Sequence, residues 1–248
     1  MSRARRAWVE CLGTAFLLAA VVGSGIMGER LSGGNVAITL LANSLATGFA
    51  LAALIIVFGP LSGAHFNPLV TLSLAARGEG AWREAFPYLA AQFLGALAGV
   101  WAAHMMFGLP GLQDSQTIRS GGAQWWSEVV ATFGLVTVVL NCGRDRPWAA
   151  PIAVGGYIAA AYWFTASTSF ANPAVTLARA MTATFSGIRL ADVPAFVAAQ
   201  AGGTLLAVLA DRALKGSPGR NAEPGALSLG TRRSDIPPER ISQSTPRL

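Results

Sequence analysis

The sequence predicts an all-α membrane protein with six transmembrane helices and two re-entrant half-helices, arranged as an inverted repeat of three spans plus three. Hydrophobic residues make up 53% of the 248-residue chain and charged residues only 12%, about half the charged fraction of a typical soluble domain. Long apolar stretches recur along the chain. A short Asn-Pro motif also occurs twice, 105 positions apart.

This composition excludes an ordinary soluble globule and a disordered chain. The net charge of +6 does not indicate a nucleic-acid partner, because seven of the 18 basic residues lie in the last 37 positions. The two cysteines, Cys11 and Cys142, match no metal or disulfide pattern. The Arg-rich N-terminus precedes an apolar run of about 20 residues, which we interpret as a retained first span rather than a signal peptide.

Six apolar stretches are each long enough to cross a bilayer, and inside lipid they are expected to be helical because the backbone must satisfy its own hydrogen bonds. These predicted spans are 7–27, 36–58, 85–107, 125–142, 148–168 and 193–213. Two further stretches, 61–77 and 169–182, are too short to cross, and each contains an Asn-Pro pair. Because proline suits the first turn of a helix, each predicts a loop followed by a half-helix starting at Pro68 or Pro173.

The positive charges near the span ends predict cytoplasmic N- and C-termini in a multi-pass protein of the cell inner membrane. With six spans, the basic segments fall on one side. They contain Arg3, Arg5, Arg6, Arg77, Arg83, Arg144 and Arg146. Residues 214–248 are rich in Pro, Ser, Gly and Arg, which predicts a disordered basic cytoplasmic tail. The channel domain would then be 1–213.

The two halves of the chain, about 7–107 and 125–213, resemble each other. Three pairs of segments match in the same order, at offsets of 118, 105 and 108 positions. They begin at Glu10 and Glu128, at Asn67 and Asn172, and at Ala91 and Ala199. Because each half has three spans, the second half enters from the opposite side, and the short elements meet near the midplane.

Two half-helices that meet there would present unpaired N–H groups and positive dipole ends to the same point. Asn67 and Asn172 lie at the helix starts, where each can cap its helix and still donate an amide hydrogen. Such a zone repels cations and accepts small neutral hydroxylic molecules. The pattern therefore indicates a passive pathway, with water and small neutral solutes as the partners together with membrane lipid.

These features resemble the aquaporin family, also called major intrinsic proteins, over residues 7–213. The resemblance rests on the motifs Ser62–Leu69 and Ser169–Ala174, with a Glu in spans one and four. It implies a channel selective by pore diameter, lining donors and half-helix dipoles. It also implies a homotetramer with one pore per subunit.

The chain departs from the family pattern at two places. Leu69 stands where the first motif usually has Ala, which we interpret as a packing difference; the second motif keeps Pro173 and Ala174. An Arg usually follows the second motif and forms the filter, but this position is Val175. Counting along the family pattern completes the filter. Its predicted members are Thr47, Ala160, Ser169 and Val175.

All four filter residues are small and uncharged, so a wider pore is expected. Candidate solutes are metalloid hydroxides such as arsenite, methylated arsenicals, glycerol and urea, with water. This filter resembles that of the arsenic-resistance branch of bacterial aquaglyceroporins. Two alternatives stay open: a strict water channel, and a proton-coupled secondary transporter using Glu10 or Glu128.

Glu10 and Glu128 are intramembrane carboxylates, and their repeat-related placement favours a structural role, with each accepting backbone N–H groups of a half-helix loop. His65 is expected to hold its loop, and His104 to be incidental. The sequence contains no recognisable catalytic constellation, phosphate loop, metal site or cofactor motif. We therefore expect a channel and not an enzyme, with no cofactor.

Overall fold

The computed structural model describes residues 1–142 and 148–215, and in these two ranges it is helical, which confirms the all-α prediction. A 3-10 turn at Leu190–Asp192 precedes the last helix. The helices are α1 Arg3–Leu31, α2 Val36–Ser62, α3 Pro68–Ala76, α4 Trp82–Met106, α5 Gly122–Cys142, α6 Ala150–Phe164, α7 Pro173–Arg179 and α8 Val193–Lys215.

Five helices within the described residues, α1, α2, α4, α5 and α8, are long and apolar enough to cross a membrane, with mean hydropathy between 1.4 and 2.1. α6 is an apolar helix of 15 residues, about 22 Å long. It is shorter than the predicted span 148–168, because the chain leaves the helix at Thr165 and turns into the loop before α7. Arg144, Arg146 and the predicted tail from 216 onward lie outside the described residues.

The half-helices α3 and α7 begin at the proline of each Asn-Pro pair, as predicted. Their caps explain the start: Asn67 Oδ1 accepts a hydrogen bond from the Leu69 N–H at 2.9 Å, and Asn172 Oδ1 accepts one from the Ala174 N–H at 3.0 Å. α3 has nine residues and α7 has seven. Neither is long enough to cross a bilayer.

Glycines allow the long helices to pack closely in pairs. α1 packs on α4 and α5 packs on α8. A methyl group added at Gly95 would collide with the backbone of Cys11, and one added at Gly203 would collide with the backbone of Val129. α2 and α6 join the two halves. Small residues at membrane helix crossings bring backbones close enough for extensive dispersion contact.

Candidate channel site

The starts of the two half-helices meet through their asparagines. Asn67 Nδ2 donates a hydrogen bond to the Ala171 carbonyl at 2.7 Å, and Asn172 Nδ2 donates one to the Phe66 carbonyl at 2.8 Å. Each acceptor is the residue before the opposite Asn. Since an amide NH2 group carries two hydrogens, each Asn keeps one donor beyond this reciprocal pair.

The loops before α3 and α7 contain left-handed backbone at non-glycine residues. Ala64 and Phe66 have φ of 49° and 48°, and their repeat partners Ser169 and Ala171 have 50° and 47°. Left-handed conformation costs a non-glycine residue about 1–2 kcal/mol. Both loops therefore need other contacts that hold them in this shape.

Glu10 of α1 supplies these contacts to the first loop. Its two carboxylate oxygens accept hydrogen bonds from the N–H groups of His65 at 3.0 Å and Phe66 at 2.7 Å. They also accept from Ser62 Oγ at 2.6 Å and from Gln92 Nε2 at 2.9 Å. Four donors compensate a carboxylate that is fully buried, which would otherwise be costly in an apolar interior.

Glu128 of α5 does the same for the second loop. It accepts from the N–H groups of Phe170 and Ala171, each at 2.9 Å, and from Ser167 Oγ at 2.5 Å. Gln200 Nε2 is its fourth donor, at 2.7 Å. The two loops are thus built by the same set of contacts, residue for residue along the repeat.

Two glutamines connect these carboxylates to the half-helices. Gln92 Nε2 also lies 3.0 Å from Thr71 Oγ1, and Gln200 Nε2 lies 2.8 Å from Thr176 Oγ1. Both glutamines lie in the third pair of matching segments, directly after Ala91 and Ala199, and no role was predicted for them. Their occurrence in matching segments of the two halves, 25 residues after Asn67 and 28 residues after Asn172, was the available signal.

A cavity of about 60 Å³ lies where the half-helices meet. One water needs roughly 10–15 Å³ by the same measure, so several waters fit. α1, α2, α3, α5, α6 and α7 all contribute to its wall, which includes Asn67 and Asn172. Most of the wall is apolar. Its polar residues lie on the two loops and, one each, on three helices: His65, Asn67, Ser169 and Asn172, with Thr47 on α2, Tyr162 on α6 and Arg179 on α7.

Three of the four predicted filter residues, Thr47, Ser169 and Val175, lie in this cavity wall, and all three are buried. Thr47 Oγ1 accepts a hydrogen bond from the Tyr162 hydroxyl at 3.3 Å. Val175 lies in the first turn of α7, where its N–H lies 3.3 Å from Asn172 Oδ1.

The structure corrects the expectation for Ala160, which lies exposed on the outer face of α6. The face of α6 in the cavity wall carries Val154, Ile158 and Tyr162. Packing on α2 sets this rotation, because a methyl group added at Gly155 would collide with the Gly48 carbonyl. Counting back from Asn172 assumed an ungapped match and selected the wrong side of the helix.

Arg179 is a cavity residue that sequence reasoning missed. It is only 2% exposed and lines the cavity wall, as Ser169 and Val175 do. Its guanidinium carbon lies 3.4 Å from the centroid of the Phe170 ring, and Nε donates a hydrogen bond to the Ser186 carbonyl. The available signal in the sequence was a single Arg four residues after Val175. The filter positions counted along the family pattern end at Val175 and so did not include it.

Arg119, in the loop between α4 and α5, contacts the same Phe170 ring with its guanidinium carbon 5.1 Å from the centroid. Nε donates to the Gly187 carbonyl at 2.8 Å. Burial lowers the pKa of Arg119 from its ordinary value, because an apolar environment disfavours the charged form. Arg119 does not belong to the cavity wall.

The two histidines hold loops. His65 lines the cavity and its Nδ1 lies 3.0 Å from Thr71 Oγ1. His104 is fully buried; its Nε2 lies 2.7 Å from Thr182 Oγ1, and Nδ1 contacts the Gly111 carbonyl. His104 therefore joins the loop after α4 to the segment after α7, and the expectation that it is incidental is wrong.

An all-α membrane fold with two half-helices meeting at an asparagine-lined cavity defines a channel protein. The comparisons agree: the model of the major intrinsic protein family matches residues 1–150. The chain belongs to this family.

Its relatives indicate the aquaglyceroporin type. The chain is 54% identical to aquaglyceroporin AqpS of Rhizobium meliloti strain 1021 over 204 residues, which cover 82% of this chain and 87% of that protein. It is 34% identical to aquaporin NIP1-4 of Oryza sativa subsp. japonica over 180 residues, 69% of this chain and 64% of the relative. The X-ray structure of the Plasmodium falciparum aquaglyceroporin has the same fold, with a TM-score of 0.65 and 22% identity, covering 84% of this chain and 95% of that one.

Proposed function

We propose that this protein is a passive membrane channel for small uncharged solutes and water. The observation that carries the proposal is the cavity at the meeting point of Asn67 and Asn172. Each Asn amide uses one hydrogen in the reciprocal bond across the two loops and offers the second to a passing oxygen. The positive ends of both half-helices face the same point and disfavour cations.

The solutes we propose are glycerol, urea and metalloid hydroxides such as arsenite, including methylated arsenicals. Thr47, Ser169 and Val175 are small or medium-sized residues in the wall of the cavity. Val175 gives a uniformly apolar surface where the family usually has an Arg, which suits solutes with both carbon and hydroxyl surfaces. The 54% identity to an aquaglyceroporin supports this solute class.

The alternative of a proton-coupled transporter finds no support in the contacts of its two candidate carboxylates. Glu10 and Glu128 are fully buried and each accepts four hydrogen bonds. Neither lies in the cavity wall. We propose that both hold the loops.

The cellular setting we propose is the inner membrane, with both termini in the cytoplasm and four subunits forming a homotetramer with one pore each. The basic residues at the ends of the predicted spans support the orientation. The proposed channel domain, 1–213, ends within α8, which continues to Lys215. The tail proposed after it, from 216 onward, lies outside the described residues.

Stopped-flow light scattering of proteoliposomes tests the function. We expect water, glycerol, urea and arsenite to equilibrate, with uptake insensitive to an uncoupler. Val175→Arg should lower glycerol flux at least about tenfold while water flux falls far less, because it adds bulk and charge. Val175→Leu, which adds only a methylene, is the matched control. Water flux without any solute flux would show a strict water channel, and accumulation against a gradient would show a transporter.

A further inference from the structure

We infer that Arg179 supplies the fixed positive charge of the filter that position 175 lacks, and that together with the Ser169 hydroxyl it admits uncharged oxygen-bearing solutes while excluding cations of the same shape. This inference rests on the proposed channel function and specifies the selectivity of the same site.

The first observation is the position of Arg179. It follows Val175 by four residues on α7, so the two side chains lie on the same helix face. Both line the cavity together with Ser169. The chain therefore has an apolar residue at the usual place of the filter Arg and a guanidinium one helical turn away.

The second observation is the way Arg179 is held. Phe170 packs against the guanidinium, and Nε donates to the Ser186 carbonyl. Within the described part of the chain, Nε makes the only hydrogen bond from this side chain. A guanidinium has five N–H donors in a fixed plane, so four remain on the terminal nitrogens. Two anchors hold the group in place, and those donors are free for a solute oxygen.

The third observation is an unpartnered hydroxyl in the wall of the same cavity. Ser169 is 3% exposed, and its Oγ has no hydrogen-bond partner among the described residues. A buried polar atom without a partner is rare. Because Ser169 lines the cavity, a water or a solute in the pore is the partner that satisfies it.

Charge and hydrogen bonding then act in opposite directions on two classes of solute. A unit charge in a water-poor constriction raises the free energy of a nearby cation steeply. The same group donates hydrogen bonds to hydroxyl and carbonyl oxygens, which an uncharged solute offers at no electrostatic cost. Urea and guanidinium separate the two effects, since they are planar and similar in size but differ in charge.

The test measures uptake of labelled urea and guanidinium into proteoliposomes containing the full chain. We expect the wild type to pass urea and to exclude guanidinium. Arg179→Gln should raise guanidinium uptake about tenfold or more, with urea and water fluxes within about threefold of wild type. Arg179→Lys should keep the exclusion, and Val175→Arg combined with Arg179→Gln should restore it.

Arg119→Gln is the matched control, because Arg119 contacts the same Phe170 ring but lies outside the cavity wall. We expect it to leave guanidinium excluded. Unchanged exclusion in Arg179→Gln, an equal leak in Arg119→Gln, or loss of water flux with Arg179→Gln would each overturn the inference. A wild type that passes water but no urea contradicts the proposed solute range instead. In that case the same variants are compared by proton influx, which is measured with a pH-sensitive dye trapped inside the vesicles.

Discussion

The loops before α3 and α7 are alike in everything that holds them and different in what they present to the cavity. In both, a buried Glu accepts two loop N–H groups, a Ser hydroxyl and a Gln amide. In both, left-handed residues precede the Asn-Pro pair. The two halves of the chain therefore hold their loops with the same set of contacts.

The two halves differ at several repeat-related pairs of positions, and three of these pairs differ clearly in what they pack against. His65 packs on Tyr88 in the first half, whereas Phe170 packs on Phe196 in the second, with ring centroids 5.3 and 5.2 Å apart. The third pair is Leu74, which packs in an apolar cluster beside α5 and α8, and Arg179, which lines the cavity. Ser169, whose repeat partner is Ala64, and Arg179 thus differ between the two halves, whereas Val175 and its partner Val70 are the same residue. The exclusion of cations inferred for Arg179 and Ser169 would rest on positions where the two halves differ.

The largest expected effect comes from removing either carboxylate. Glu10→Ala and Glu128→Ala each remove the acceptor of four hydrogen bonds, at about 1–3 kcal/mol for each buried donor left unpaired. The Gln amide of each half keeps its contact with Thr71 or Thr176. We expect each variant to lower the melting temperature of the detergent-solubilised protein by about 10 °C or more, measured by size-exclusion chromatography after heating. Equal losses would support equivalent roles in the two halves. A variant that keeps wild-type stability would show that its loop does not depend on the carboxylate.

A smaller effect is expected at the helix crossing of the second half. Gly203→Ala introduces a methyl group against the Val129 backbone, and such overpacking costs about 1–3 kcal/mol. Gly202→Ala is the matched control, because a methyl group there meets no atom within 4 Å among the described residues. Thermal melts of both variants separate crowding from a general intolerance of substitution in α8; similar losses in the two would argue against the close contact.

The sequence predicted the spans, the half-helix starts at Pro68 and Pro173, and the repeat, because these depend on hydrophobicity, proline chemistry and local spacing. It did not predict the face of α6, since the contact of Gly48 with Gly155 sets the helix rotation. Ala160 was therefore misplaced while Thr47, chosen by a similar count, lies in the cavity wall.

Arg179 was missed, and His104 was wrongly expected to be incidental, for a related reason. Both act through partners distant in sequence or beyond a chain reversal: Phe170 and Ser186 for Arg179, and Thr182 for His104. A pattern in one sequence shows that a polar residue is present in an apolar region. It does not show which partner compensates its burial, because the partner comes from the tertiary fold.

The pair Tyr88 and Phe196 gives a third, smaller prediction. The Tyr88 hydroxyl donates to the Ser62 carbonyl at 2.7 Å, so Tyr88→Phe should cost about 1 kcal/mol. Phe196→Tyr adds a hydroxyl to a fully buried ring and should cost about 1–3 kcal/mol unless it finds the equivalent carbonyl of Ser167. Thermal melts compare them. A neutral Phe196→Tyr would show that the second half still has room for the bond of the first.

The smallest effect is expected at the ion pair of Arg6 with Glu84, which joins α1 to α4 at 3.4 Å. Both side chains are partly exposed, and such pairs contribute about 0–1 kcal/mol. Arg6→Ala should therefore shift the melting temperature by no more than about 2 °C. If the N-terminus is cytoplasmic, Arg3 and Arg5 keep the orientation signal in this variant, and protease protection of an N-terminal tag in membrane vesicles should not change. A marked loss of stability would show that this pair contributes more than a partly exposed ion pair ordinarily does.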